Sequence, residues 1–69
     1  MYTKDKWYLW LNLPVDGQMY WTGTDWTASP QKTMFFDTME RAIIEAEQKA
    51  EQTTKAEVEV RRCRVNIYG

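Results

Sequence analysis

The sequence is poor in the residues that usually stabilise a very small domain. Its 69 residues include no histidine, one cysteine, two prolines and three glycines. A single cysteine excludes an internal disulfide, and without histidine it leaves too few ligands for a structural zinc site. A chain of this length forms one domain, residues 1–69, that buries only about 60% of its unfolded surface. We therefore expect the four tryptophans, four tyrosines and two phenylalanines to supply most of the core.

The same absences argue against an enzyme. General acid–base catalysis without histidine needs carboxylates in a shaped pocket, whereas the acidic residues here fall mainly on the solvent side of one predicted helix or at Glu57 and Glu59. Cys63 has arginines on both sides, but neighbours along a strand point to opposite faces, so the pattern favours a buried core cysteine over a reactive thiolate. The glycines form no phosphate-binding loop. We predict a protein with no catalytic residues, no cofactor and no bound metal.

Charge and the N-terminal residues constrain the location and the partners. The net charge of −1 provides no overall field that would attract nucleic acid. The first residues carry two lysines and an aspartate before the run ends at Pro14, which makes them too charged and too interrupted for a signal peptide or a membrane span. A lone cysteine suits a reducing compartment. These features predict a cytoplasmic protein with no membrane partner.

The N-terminal third of the chain has the pattern of a β-hairpin. Residues 6–13 alternate with the period of a strand. One face carries Trp7, Leu9, Leu11 and Leu13, and the other carries Lys6, Tyr8, Trp10 and Asn12. The run Pro14-Val15-Asp16-Gly17 has turn chemistry, and residues 18–22 form the return strand. A second turn at residues 22–25 precedes Trp26.

The middle of the chain combines a short apolar run with a helix. Residues 34–36 predict either a brief third strand or the apolar lead-in to the helix. Asp37 is the predicted N-cap, and Glu40 would complete a capping box for a helix over residues 37–53. The residues expected to face the sheet are Met39, Ala42, Ile43, Ala46 and Ala50. Ile44 lies on the polar side, either as a stray apolar residue or as a contact residue.

A long strand pattern over residues 56–68 ends the chain. Val58 and Val60 have one parity, and Cys63, Val65 and Ile67 have the other. The apolar side of the strand therefore changes near Arg61. Either a β-bulge restores one apolar face, or the far half of the strand serves a different surface. The strand is longer than the hairpin strands, so part of it is expected to overhang them as a free edge. The order β-β-(β)-α-β predicts a two-layer α+β domain, with an antiparallel sheet of three to four strands and one helix on one face.

The order of these features resembles that of small phage-encoded α+β proteins of unknown function. The resemblance rests on a hairpin reading Tyr20-Trp21-x-Gly23-x-x-Trp26, the apolar run 34–36, the capped helix start Asp37-Thr38-Met39-Glu40-Arg41-Ala42 and a charged final strand. Its most specific part is the spacing Gly23-x-x-Trp26, while Trp10 and the arginine cluster depart from the pattern. Some small phage proteins of this size bind and inhibit host proteins, including defence systems such as CRISPR complexes. The resemblance therefore implies a host protein as partner and the host cytoplasm as location.

The hairpin carries more aromatic residues than one helix can cover. If Trp7 and Trp21 face the helix, the aromatic residues of the other parity lie on the uncovered face, either exposed or packed against each other and under the following loop. The predicted partner-binding residues are Tyr8, Trp10, Tyr20, Trp26, Ile44, Arg61, Arg62 and Arg64. Our first hypothesis is a protein-interaction module that docks through this face and the overhanging C-terminal strand.

Two other hypotheses use the same residues. Aromatic rings beside Arg61, Arg62 and Arg64 are typical of single-stranded nucleic-acid or nucleotide binding, in which bases stack on rings. Glu57, Glu59 and the negative net charge argue against that function and favour a charge-alternating edge strand. The small core and the long edge strand also predict a homodimer, formed through the sheet face or through the C-terminal strand.

Overall fold

The fold is a four-stranded antiparallel sheet with one helix packed on one face. A computed structural model describes residues 2–67. The elements are β1 (Tyr2–Leu13), β2 (Gly17–Trp21), β3 (Trp26–Thr27), a 3₁₀ turn (Pro30–Lys32), α1 (Met39–Glu45) with a π-helical continuation (Ala46–Ala50), and β4 (Glu59–Ile67). The strands lie in the order β3-β2-β1-β4. This arrangement confirms the predicted two-layer α+β class.

The hairpin forms where the sequence predicts it, although β1 starts earlier and is longer. Gly17 has a φ of 80°, a left-handed conformation that suits glycine at the end of the turn. β1 and β2 then pair with Trp10 opposite Tyr20. A second turn, closed by a hydrogen bond of 2.9 Å from the Thr22 amide to the Asp25 carbonyl, leads into β3. It places Trp26 opposite Trp21 and therefore on the same face of the sheet.

Residues 34–36 act both as a minimal strand and as the lead-in to the helix. β2 ends at Trp21, and the amide of Met34 donates to the Trp21 carbonyl at 2.8 Å. Phe36 then pairs with Trp7 through two main-chain hydrogen bonds of 2.8 and 3.0 Å. The short segment thus occupies the sheet position beside β1 that β2 leaves empty. Because neighbouring residues point to opposite faces, Phe36 enters the core and Phe35 does not.

The helix begins one residue later than the sequence predicts. The side chain of Thr38, not that of Asp37, accepts the hydrogen bond from the Arg41 amide and caps α1. The predicted capping box is therefore wrong, because Glu40 is only two residues beyond this cap. Asp37 instead pairs with two lysines of β1. The helical segment ends at Ala50 instead of residue 53.

Alanines let the helix lie close to the sheet. Ala42, Ala46 and Ala50 are buried as predicted, but Met39 and Ile43 are exposed, so the predicted apolar stripe was too wide. The buried core cluster consists of Leu9, Trp21, Phe36, Ala42, Ala46 and Ala50. Half-buried residues packed around it are Trp7, Trp26, Val58 and Val60. Large sheet side chains therefore fill the core, and small helix side chains leave room for them.

β4 pairs with β1 without a bulge. The register is continuous from Tyr2 opposite Ile67 to Trp10 opposite Glu59, so the bulge alternative is wrong and the two-surface alternative is confirmed. Val60 faces the helix side, whereas Cys63, three residues on, faces the other side. The predicted overhang is also wrong, since β1 extends far enough to pair with the whole of β4. Tyr68, the predicted end of the strand, lies outside the described residues.

Candidate functional site

The candidate site is the sheet face turned away from the helix, called the open face below. Alternation in β1 places Tyr8 and Trp10 there, and strand pairing adds side chains from both neighbouring strands. The residues that define the open face are Tyr8, Trp10, Tyr20, Phe35, Arg61, Cys63 and Val65. An antiparallel sheet covered on one side usually presents polar side chains on the other. This face carries aromatic and aliphatic groups in addition to the polar side chains of Lys4, Lys6, Asn12, Gln18 and Glu59.

Three aromatic rings of the open face pack together. The centroids of Tyr8 and Tyr20 are 6.1 Å apart, and those of Tyr8 and Phe35 are 6.0 Å apart with an edge-to-face angle of 69°. Such spacings are typical of favourable ring pairs. The two tyrosines are half-buried, and Phe35 is 45% exposed. The rings therefore pack against each other, as one alternative predicted, and still leave apolar surface open to solvent.

A small apolar cleft lies beside these rings. Its volume is about 180 Å³, and its lining residues are Tyr8, Tyr20, Pro30, Thr33, Phe35 and Cys63. The hydroxyl of Tyr20 donates to the Gln18 side-chain carbonyl at 3.3 Å, which holds that ring at the margin of the face. The cleft is large enough for one apolar side chain of a partner. Clefts of this kind receive anchor residues at protein interfaces.

Trp10 lies on the open face but is not one of its exposed anchors. Only 9% of Trp10 is exposed. The guanidinium of Arg61 lies over its ring, and Glu59 approaches that guanidinium at 3.7 Å. The indole Nε1 of Trp10 is buried without a hydrogen-bond partner among the described residues. Arg61, which is exposed, therefore presents its charge where the sequence predicted an aromatic surface.

Four of the predicted site residues lie away from the open face. Trp26 packs on Trp21 in the core, with ring centroids 5.2 Å apart. Ile44 is exposed on the helix and lines a separate shallow cleft that also contains Arg41. The remaining two, Arg62 and Arg64, lie on the helix side of the sheet. The structure thus brings together Tyr8, Trp10, Tyr20 and Arg61 and separates the other four.

The arginine cluster is divided between the two faces of the sheet. Arg61 lies on the open face, opposite Tyr8. Arg62 lies opposite Trp7 and Arg64 lies opposite Asp5, so both are on the helix side. Both guanidiniums reach the carboxylate of Asp5, at 4.0 and 3.5 Å. The three guanidiniums therefore do not form one basic platform beside the rings.

Three residues of the open face, Phe35, Cys63 and Val65, are not among the predicted site residues. Phe35 was not assigned to a face, because two consecutive phenylalanines fit either parity until the pairing of Phe36 with Trp7 is known. Cys63 was assigned to the core, yet it is half-buried and borders the apolar cleft. Its parity, opposite to that of Val60, was the available signal.

An ion pair lies where the open face meets the helix start. The ammonium group of Lys6 donates to the carboxylate of Asp37, and that of Lys4 lies 3.7 Å from it. The hydrogen bond from Lys6, then the charges of Lys6 and Lys4, hold the pKa of Asp37 below its ordinary value. Among residues 2–67, no three side chains of the metal-binding types cluster so as to hold a metal ion.

The comparisons with known proteins supply no relative for this chain. No protein-family model, no curated protein and no solved structure matches it. No helix within the described part of the chain is long and apolar enough to cross a membrane. Function must therefore be argued from the open face itself.

Proposed function

We propose that this protein is a non-enzymatic interaction module whose open face docks on a partner protein. The observation that supports this most strongly is the change of parity in β4. Val60 contributes to the core under the helix, whereas Cys63 and Val65 add apolar groups to the opposite face. A two-layer domain with one helix needs only one apolar sheet face. Among the described residues, the segment 30–35 borders one side of this second apolar face and no element covers the rest, which is typical of interaction surfaces in isolated domains.

The open face also has the composition of an interface. Tyrosine and other aromatic residues carry much of the binding energy at protein interfaces, with polar groups at the rim. Tyr8, Tyr20 and Phe35 surround an apolar cleft at the centre, and Arg61 and Lys6 supply charge around it. In this proposal the partner inserts one apolar side chain into the cleft and covers the exposed part of Phe35.

The nature of the partner is proposed from the resemblance to small phage-encoded proteins alone. That resemblance implies a host protein, for example a component of a defence system, which the module would bind and inhibit in the host cytoplasm. Neither catalysis nor a cofactor is part of this proposal. Inhibition would follow from occupying a surface that the host protein needs.

Capture of a partner from bacterial lysate tests the proposal. The immobilised protein is compared with Phe35→Ala and Tyr20→Ala, and captured proteins are identified by mass spectrometry. Met39→Ala is the matched control, because Met39 is similarly exposed but lies on the helix. We expect both open-face variants to lose a protein that the native chain and the control retain. Identical captured sets for all four proteins would exclude the open face as the docking surface.

A second candidate function is binding of single-stranded nucleic acid or a nucleotide. The rings of the open face and the charge of Arg61 favour it, since bases stack on aromatic side chains beside basic groups. The location of Arg62 and Arg64 on the other face reduces the basic surface it would use. Fluorescence anisotropy with labelled oligonucleotides distinguishes the two functions. Nucleic-acid binding should weaken steeply as the salt concentration rises. It should also weaken in the Tyr20→Ala variant.

A further inference from the structure

β4 forms the long free edge of the sheet. At the other edge, β3 is only two residues long, whereas β4 has nine residues and pairs on one side only. Its outward amides and carbonyls have no strand partner among residues 2–67. An unpaired edge of this length can accept an extended segment of another chain through main-chain hydrogen bonds.

The side chains along this edge differ between the two faces. On the helix side, Arg62 and Arg64 share the single carboxylate of Asp5, and their side chains are 65% and 67% exposed. Two guanidiniums for one carboxylate leave a net positive charge there. On the open face, the same stretch presents Cys63 and Val65, both half-buried. In this stretch the side chains of β4 itself are thus basic on one face and apolar on the other, and the lysines opposite Cys63 and Val65, Lys6 and Lys4 of β1, pair with Asp37.

We propose that the β4 edge binds an extended segment of a partner protein in which acidic residues alternate with apolar ones. Residues opposite each other in paired strands project to the same face. Acidic residues of the added strand therefore meet Arg62 and Arg64, and its apolar residues meet Cys63 and Val65. Main-chain pairing supplies affinity, and the alternation supplies specificity. This edge adjoins the cleft of the proposed function at Cys63, but strand pairing along β4 does not require docking on the open face.

A second copy of the chain fits the edge less well than an acidic partner. Antiparallel pairing of β4 with itself needs a two-fold axis normal to the sheet, so each residue meets one of the same face. The registers that pair the largest part of β4, centred on Arg62, Cys63 or Arg64, each place an arginine against an arginine. Centring on Cys63, for example, sets Arg62 of each copy opposite Arg64 of the other. Like charges directly opposite each other destabilise paired strands.

Short peptides test the pairing directly. The probe is a fluorescein-labelled hexapeptide of alternating glutamate and valine, and binding is measured by fluorescence anisotropy at low salt. Two ligand controls are the lysine–valine peptide and a glutamate–valine peptide with N-methyl groups on every amide, which has no N–H group to donate from either edge. We expect each control to bind about tenfold more weakly or worse. Amide exchange measured by NMR should slow in β4 and not in β3.

Charge variants test the side-chain part of the proposal. Arg62→Gln/Arg64→Gln should weaken glutamate–valine binding by about tenfold or more. The matched control, Lys32→Gln/Lys55→Gln, also removes two positive charges, but from exposed positions outside the strands. It should retain binding. Circular dichroism verifies that both double variants fold.

Three results would overturn the proposal. The first is equal binding of the native protein to all three peptides, and the second is no binding of the glutamate–valine peptide at about 1 mM. The third is a dimer in sedimentation that the peptide dissociates, because the edge would then belong to a second copy. Tyr20→Ala should leave peptide binding unchanged, so failure here does not affect the open-face proposal.

Discussion

The Cζ atom of Arg61 lies 3.6 Å from the centroid of the Trp10 ring. The contact joins β4 to β1 diagonally, since Arg61 is directly opposite Tyr8 and Trp10 is directly opposite Glu59. Stacking of a guanidinium on an indole is electrostatically favourable, and the alkyl part of arginine shields the ring from water. Arg61 therefore stabilises the sheet in addition to supplying charge to the open face.

Removal of this stack is expected to destabilise the protein. Arg61→Ala should lower the free energy of unfolding by about 0.5–1 kcal/mol, the usual contribution of an exposed cation–π pair. Arg64→Ala is the control, because Arg64 is on the same strand and has no cation–π partner among residues 2–67. The control should change stability by less than about 0.5 kcal/mol. Urea unfolding measures both, and equal losses would show that the stack contributes nothing specific.

The alanines of the helix are expected to tolerate no larger side chain. Ala42 is fully buried between α1 and the sheet, so Ala42→Leu should force the layers apart. Overpacking of this kind costs about 1–3 kcal/mol. Glu47→Leu introduces the same side chain at an exposed helix position and serves as the control. Thermal and urea unfolding compare the two, and an unchanged stability of Ala42→Leu would contradict close packing of the two layers.

The strands and the helix could be predicted because their signals are local and periodic. The alternation in residues 6–13 and the spacing of Ala42, Ala46 and Ala50 each identify one face of one element. The cap could not be predicted in the same way. Asp37 and Thr38 are adjacent and both suit an N-cap. Pairing of Asp37 with two lysines about thirty residues earlier decides between them.

The candidate site was predicted only in part, for a similar reason. Tyr8 and Tyr20 were placed correctly because parity within a strand is local. Trp26 was misplaced because its face depends on the turn at residues 22–25, which sets the register of β3. The arginines could be assigned to faces only after the bulge was excluded, and that required the length of β1. Tertiary pairing, not composition, therefore decides which residues form the open face.

The stability of the protein should depend on the acceptor of one hydrogen bond between the sheet and the helix. The indole Nε1 of Trp21 donates to Oε2 of Glu45 at 2.9 Å, and both side chains are largely shielded from solvent. Glu45→Ala leaves that buried N–H without an acceptor, which should cost about 1–3 kcal/mol. Glu45→Gln keeps a carbonyl acceptor and should lose much less. Equal losses in urea unfolding would contradict a role for this bond, because both variants also remove the weak pair with Lys49.

Asp37 should make the free energy of unfolding depend on pH in the acid range. The hydrogen bond from Lys6 and the charges of Lys6 and Lys4 lower the pKa of Asp37 below its ordinary value of 3.8. The pKa of Asp37 is lower in the folded state than in the unfolded state. Its stabilising contribution is therefore fully present above the unfolded-state pKa and is lost as the pH falls through the folded-state pKa.

Asp37→Asn should therefore be less stable than the native protein at about pH 7, and the difference should be smaller at about pH 2. Asp16→Asn, in the exposed turn after β1 and without a salt bridge in the described part of the chain, should show no such change between the two conditions. Urea unfolding across this pH range measures the difference, and an NMR titration of the Asp37 carboxyl measures its pKa. Lys6→Gln should raise that pKa toward 3.8, because it removes the largest cause of the shift. A stability difference between native and Asp37→Asn proteins that persists unchanged at the acid limit would instead assign the effect to packing.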